Sequence, residues 1–502
     1  MRSWTAVAAA VGSFILSAPT VAAVPTVQTV LSPKFQPPPV FKNLNLVRTT
    51  NLDKGYVRET VNVVVQNVDQ QPQSEYYLPF PADVFDHVGA LEVRDKKAPD
   101  AGRFDVEAVK VGSSSSDVHY YVVNFPEPLA PKAEITLGIS YSILSALTPR
   151  PAAIQQSDKQ FLNYAFSAYA PSAYQTVTQK TKLKLPTTNV PEHTTTEGLK
   201  SGADPERQGT TYTYGPYDTA KVAPGTAYPV SVRYEFTKPV ITASLLERDL
   251  EVSHWGGNLA TEERYWLRNN GSRLENQFSR VEWTVSSFQQ QPSSAIRELT
   301  FPLKPGSVDP YFTDDIGNVS TSRYRPGKPR RDALLELRPR FPIFGGWNYS
   351  FRIGWNNNLA SFLRQGPAAD TYVLKVPFLE GPKVPEGVQY DQVVVRVILP
   401  EGAHNVRYET LDQSTSNGLP SSHQIAAEVS PLKTYMDTLG RTVLTLTAED
   451  LTDEARDSQL VVTYEYTLWD GLRKPATITA GLLATFIAAW AVGQIDVSIK
   501  KR

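Results

Sequence analysis

The residue types that could carry chemistry are few in this chain and do not gather in the sequence. The six histidines, His87, His119, His193, His254, His404 and His423, stand far apart, and none falls in a His-Glu-x-x-His arrangement. A zinc hydrolase of that type needs two ligands on one helical turn with a general base between them. There is no Gly-x-Ser-x-Gly elbow and no Walker glycine loop, so the usual motifs of acyl and phosphoryl transfer are missing. Cysteine is absent altogether, which removes thiolate nucleophiles, Cys-ligated zinc and disulfides.

Three features remain. Asp314-Asp315 is a conspicuous acidic pair, but it lacks the Asp-x-Asp spacing of many metal sites and suits a turn cap better than a metal. Arg323, Arg325, Lys328, Arg330 and Arg331, broken by Pro326, Gly327 and Pro329, suggest a solvated basic loop that could touch acidic head groups or a partner. Trp347 and Trp355 flank a Gly345-Gly346 turn and could stack a sugar. The alternation of Tyr349, Phe351, Ile353 and Trp355 favours a strand face buried in a core. No catalytic residue, metal site or cofactor is expected.

The elements that must position these residues are strands. Period-two alternation of β-branched and aromatic residues runs through Tyr56 to Val65, Tyr120 to Phe125, Ile135 to Tyr141 and Val230 to Phe236. With 39 prolines punctuating the runs, the pattern is that of a mainly β, antiparallel protein. The best candidate for a helix in the body is Thr447 to Asp457. The hydrophobic share of 41% supports real cores, and a formal charge of -1 argues against nucleic acid as a partner.

Landmarks recur. Glu59 and Asn67 are echoed by Glu262 and Asn270, and Leu183 to Pro186 by Val397 to Pro400. Phe125-Pro126 leading to Gly138 is echoed by Phe341-Pro342 leading to Gly354, and Val232 to Phe236 by Val462 to Tyr466. The expectation is two tandem, duplicated, β-sandwich-like domains, 41–237 and 238–470, meeting at Thr237-Lys238-Pro239, behind an extended proline-rich lead-in at 24–40.

The ends set the topology. Arg2, an apolar stretch from Ala6 to Leu16 and Val21-Ala22-Ala23 read as a cleaved signal peptide, residues 1–23. Ala476 to Ile495 is uncharged and mostly apolar, and about 20 residues cross a hydrocarbon core of roughly 30 Å. A single-pass type I protein is expected, with its body in the secretory lumen and a short basic tail, 496–502, in the cytosol. Gly481, Thr485, Ala489 and Gly493 form a small-residue stripe on the span suited to packing against another helix. Asn270, Asn318 and Asn348 open three Asn-x-Ser sequons and are the candidate N-glycosylation sites.

Val252 to Trp355 resembles the ribophorin I family, the large single-pass subunits of the endoplasmic reticulum oligosaccharyltransferase. The resemblance rests on Ser253-His254-Trp255-Gly256 with Glu262-Glu263, Phe278-Ser279-Arg280, Asp315 to Ser322, and Arg338 to Trp347. Leu399 to Ala403 and Asp437 to Arg441 also fit. Gly257, the basic loop and the short tail depart from animal members, and the tail is similar to fungal ones.

The resemblance implies a non-catalytic subunit of the complex that transfers a preassembled oligosaccharide from dolichyl diphosphate to Asn in Asn-x-Ser/Thr. Its implied partners are the multispanning catalytic subunit, small membrane subunits and unfolded acceptor polypeptide, and its place is the endoplasmic reticulum membrane. It also implies domains similar to the β-rich N-terminal domain of certain zinc aminopeptidases, a likeness of fold alone. The rival class is a freestanding adhesion or receptor-like ectodomain, which would want a surface address.

Overall fold

The structure, a computed structural model, describes residues 29–32, 35–98, 101–112, 118–328, 331–412, 425–434, 437 and 440–494. The expected signal peptide, the start of the lead-in, His423, Arg330, Ile495 and the basic tail lie outside the described residues.

Inward-facing apolar residues on alternating strands build two hydrophobic cores, one from Phe41 to Val240 and the other from Ile241 to Tyr466. In the first half, β1 (Phe41–Asn51), β2 (Val57–Asn67), β3 (Val88–Asp95), β4 (Glu134–Ile143), β5 (Phe161–Ser167), β6 (Gln175–Lys184), β7 (Thr211–Asp218) and β8 (Pro229–Glu235) frame the core. In the second half, β9 (Ile241–Ser253), β10 (Asn258–Asn269), β11 (Asn348–Asn358), β12 (Thr371–Pro377), β13 (Val388–Glu401), β14 (Arg441–Thr452) and β15 (Ser458–Glu465) do the same.

The large sheets share one order. The run β7-β6-β1-β2-β4 in the first is matched by β14-β13-β9-β10-β11 in the second, and the lone parallel contact of each run, β1 with β6 and β9 with β13, falls at the same place. Each half adds a four-stranded sheet in which β5 pairs β8, or β12 pairs β15, as antiparallel neighbours. The pairing of β1 with β2 slips between Asn43 and Asn45, and that of β9 with β10 slips between Ala243 and Leu245. A bulge at the same position fixes the same bend in both sheets.

The register also corrects the repeat. Asn67 stands opposite Phe41 and Asn269 opposite Ile241, so the echo of Asn67 is Asn269, one residue before the Asn270 expected from spacing. Both asparagines are fully buried and do the same job. Asn67 Nδ2 donates to Gln71 O and Leu129 O, and Asn269 Nδ2 donates to Ser294 O and Ile343 O. Leu183 and Val397 fall in equivalent register, opposite Thr50 and Leu250, and so do Val232 and Val462, opposite Tyr164 and Leu374. Gly138 and Gly354 do not. Gly138 faces Asn62, but Gly354 faces Glu262, two residues off the register that aligns Asn67 with Asn269.

Three local expectations change. Thr447 to Asp457 is the end of strand β14 and a 3-10 turn, Asp453–Asp457, rather than an α-helix. Part of the lead-in is an edge strand, Thr29–Leu31, parallel to Val109 to Val111. Arg323 and Arg325 lie on a strand, Ser322–Arg325, paired to Ala333–Leu337, where the loop was expected.

Two described α-helices are longer than a single turn: α1 (Arg280–Phe288) and α2 (Leu468–Gly493). Of the described helices, α2 alone is long and apolar enough to cross a membrane. It starts ahead of the apolar run because Thr467 and Asp470 form a capping box, the Thr467 hydroxyl accepting from Asp470 N at 3.2 Å and the Asp470 carboxylate accepting from Thr467 N at 3.0 Å. Only Tyr466 and Thr467 separate β15 from α2, so the last core strand runs into the helix without a linker.

Candidate functional site: the junction of body and helix

Pro475 sits inside α2. Having no N–H, it cannot donate to the carbonyl four residues back, that of Gly471. Trp255, on the turn between β9 and β10, supplies the missing donor: its Nε1 donates to Gly471 O at 3.1 Å. Around this contact Lys474 Nζ meets Asp437 Oδ1 at 2.6 Å, and Arg473 Nη2 meets Asp470 Oδ1 at 3.2 Å. Hydrogen bonds from Lys474 and Thr434 hold the Asp437 carboxyl down at about 2. Gly402, at φ 96°, passes so close that a Cβ would lie 2.8 Å from the Asp470 side chain. His254, next to Trp255, bonds through Nε2 to Tyr464 Oη at 2.7 Å and lies edge-on to Tyr372. Burial lowers its pKa and so disfavours the charged imidazolium.

The junction is rich in exposed aromatic and apolar surface. Trp255 is 72% exposed, Leu468 75% and Trp469 80%. Trp469 precedes Lys474 by five residues, about 7.5 Å along the helix axis. The stripe of Gly481, Thr485, Ala489 and Gly493 lies on the exposed part of α2, and a Cβ on Gly481 or Gly493 would meet nothing within 4 Å.

The remaining residues singled out in the sequence are dispersed. Asp314 caps its own turn, accepting from the Ile316 and Gly317 amides, from Tyr349 Oη at 3.0 Å and from Arg340. Burial would raise its pKa, but these bonds hold it below the ordinary range. Trp355 is 2% exposed in the second core, beside Tyr349, Phe351 and Ile353. Trp347 instead packs with Phe278, Phe341 and Phe344 outside that strand. Asn318 and Asn348 are exposed, whereas Asn270 is half-buried and donates to Thr242 Oγ1 at 2.9 Å. Among the described residues no three His, Asp or Glu side chains converge as a metal site.

Sequence reasoning missed two buried ion clusters, one in each core. Glu59 accepts from Thr50 Oγ1 at 2.8 Å, Tyr141 Oη at 2.5 Å and Tyr164 Oη at 3.2 Å, with Arg48 Nε at 3.7 Å. Arg248 is held by Glu263 and, at 2.9 Å, by Glu380, with Tyr265 Oη donating to Glu263 at 2.7 Å. Burial, then the Glu59 charge, pushes the Tyr141 and Tyr164 hydroxyls far up, so both remain protonated donors. The signal was available: Arg48 falls between Leu46 and Thr50 on the inward phase of β1, where a charge demands a buried partner.

Contacts also tie the halves together. Lys54 Nζ and Tyr56 Oη both reach Asp453, at 2.9 and 2.7 Å, and the buried Gln389 donates to Gly55 O and accepts from Ser145 N.

The family profile described as Ribophorin I matches residues 41–493. The dolichyl-diphosphooligosaccharide–protein glycosyltransferase subunit 1 of Caenorhabditis elegans is 31% identical over 91% of this chain and 73% of that protein. The subunit of the same name from Schizosaccharomyces pombe is 29% identical over 90% of this chain and 95% of that protein. Among solved structures, leukotriene A4 hydrolase from Saccharomyces cerevisiae aligns over 44% of this chain and 29% of that one, at 9% identity and a TM-score of 0.25.

Proposed function

Since the chain belongs to the ribophorin I family, we propose that it is an accessory subunit of the glycosyltransferase that moves a preassembled oligosaccharide from dolichyl diphosphate to Asn in Asn-x-Ser/Thr. The observation that carries this is the extent of the match, which runs from the first core strand to the end of α2. In this reading residues 1–23 are a signal peptide and 41–237 and 238–470 are duplicated lumenal domains. The span is 476–495, and 496–502 is the cytosolic tail. The change of core between Val240 and Ile241 supports that division.

The chain positions and does not itself react. Among the described residues the buried carboxylates Glu59, Asp204, Glu263, Glu380 and Asp470 each have an arginine or tyrosine partner, which supports a structural use of charge. The body helps present unfolded acceptor polypeptide beside a multispanning catalytic subunit. The stripe of Gly481, Thr485, Ala489 and Gly493 lets a neighbouring helix approach closely, which supports a docking role for the span.

Purification of the tagged chain in mild detergent tests the proposal. The multispanning subunit and small membrane subunits co-purify with it, and the chain freed of partners transfers no oligosaccharide. Recovery of the chain as a lone species, or turnover by the isolated chain, overturns it.

A further inference from the structure

Arg48 and Arg248 occupy the same site in the two halves. Arg48 on β1 stands opposite Val61 and Thr181; Arg248 on β9 stands opposite Glu263 and Val395. The equivalence extends to β4 and β11, where Ile139 and Ile353 pair with Val61 and Glu263, and two residues on stand Tyr141 and Trp355. Both arginines are almost wholly buried, at 3% and 1% exposure.

Their partners differ. Arg248 meets two carboxylates, Glu263 and Glu380, and lies over the Trp355 ring. Arg48 likewise lies over a ring, that of Phe166, but meets one carboxylate, Glu59, at 3.7 Å. A guanidinium carries five N–H donors. Arg48 donates from Nη2 to Ser167 O at 3.0 Å; Nε lacks an acceptor at Arg48 and Arg248 alike, so what separates the two is the second carboxylate. A buried guanidinium with a single carboxylate at 3.7 Å has donors left for a second one.

The reason lies three residues past a strand end. Phe161 of β5 faces Glu235, and Thr371 of β12 faces Glu465, so Ser167 and Pro377 end their strands in the same register. Glu380 is the third residue after Pro377; the third after Ser167 is Ala170. Beside the place where the first half lacks that carboxylate is a cavity of about 240 Å³. Phe80, Val84, Ile143, Phe166 and Pro171 wall it, and Arg48 and Glu59 are among its lining residues.

We infer that this cavity binds a small apolar molecule ending in a carboxylate, whose carboxylate takes beside Arg48 the role that Glu380 has beside Arg248. A sealed apolar cavity of about 150 Å³ holds benzene, so a ring with a short chain fits the space. A carboxylate can take a guanidinium in two parallel bonds, which offsets the cost of burying it.

The full chain in nanodiscs, titrated calorimetrically with 3-phenylpropionate and with 3-phenylpropanol, tests this. The acid binds saturably and the alcohol at least about tenfold more weakly, because a site built around an ionic partner rejects the analogue lacking it. Ala165→Trp at the cavity mouth, or Ala146→Phe should that variant not fold, abolishes binding with the circular dichroism unchanged. No binding of the acid means the cavity holds only water and overturns the inference. Equal affinity for acid and alcohol, or an intact affinity in a folded mouth variant, overturns it as well.

Discussion

Trp255 and Gly471 are joined by the hydrogen bond that Pro475 denies to the helix, at 3.1 Å from indole Nε1 to carbonyl oxygen. A break in the backbone ladder has become the point where the body grips its anchor. Trp255→Phe keeps an aromatic side chain but removes the donor, and costs about 1 kcal/mol of stability. In a Pro475→Ala background residue 475 regains an N–H for Gly471, and the same change costs less. Thermal unfolding of the four variants in nanodiscs gives the coupling energy; a value of zero would show that the two residues act independently.

Asp450, on β14 at the seam between the halves, gives the chain a pH dependence. Burial, opposed by His87 at 3.8 Å and reinforced by Asp391, pushes its carboxyl up to about 7. Between its unfolded value of 3.8 and 7 the folded chain holds a proton that the unfolded chain has released. Stability from this group is therefore full below the unfolded pKa and is lost as pH rises through the folded one. Asn tolerates the φ of 54° at this position. Asp450→Asn accordingly stabilises by at least about 1 kcal/mol at pH 8, and the gain shrinks toward pH 4. Melting curves across that range check the sign.

Gly481→Leu or Ala489→Leu puts a branched side chain on the small-residue stripe while leaving the body untouched. Recovery of the multispanning subunit with the tagged chain falls several-fold, and the melting of the body is unchanged. Wild-type recovery would mean the stripe faces lipid.

Of the three sequons, the exposed Asn318 and Asn348 are expected to carry glycans and the half-buried Asn270 is not. Glycosylating Asn270 would break its bond to Thr242 beside the buried Ser272, whose hydroxyl donates to Pro151 O and whose amide donates to the Gln160 side chain. Glycopeptide mass spectrometry reads the occupancy. Full occupancy at Asn270 would require that turn to open.

The strands were legible because Val57 to Asn67 and its kin alternate cleanly between core and solvent. Thr447 to Asp457 misled for a physical reason. Asp450 takes a left-handed φ, which breaks the alternation and leaves Ala448, Leu451 and Ala455 buried at helix-like spacing. Helix α1 escaped notice because it buries none of its residues; Val281, Val285 and Phe288 are 75%, 51% and 90% exposed, so no core face marks it. At the junction, Pro475 and Trp255 were each visible, but their partnership depends on a turn more than 200 residues away, which no local pattern encodes.

The parallel pairing at the heart of each large sheet carries a kinetic consequence. Lys42 must meet Gln175, and Ile241 must meet Val388, so neither sheet can close until well over a hundred intervening residues have been synthesised. Contacts so distant along the chain make for slow folding, with strand edges open in the meantime. Each half thus emerges as an unfinished sheet whose open strand edges stay exposed until the distant partner strand arrives.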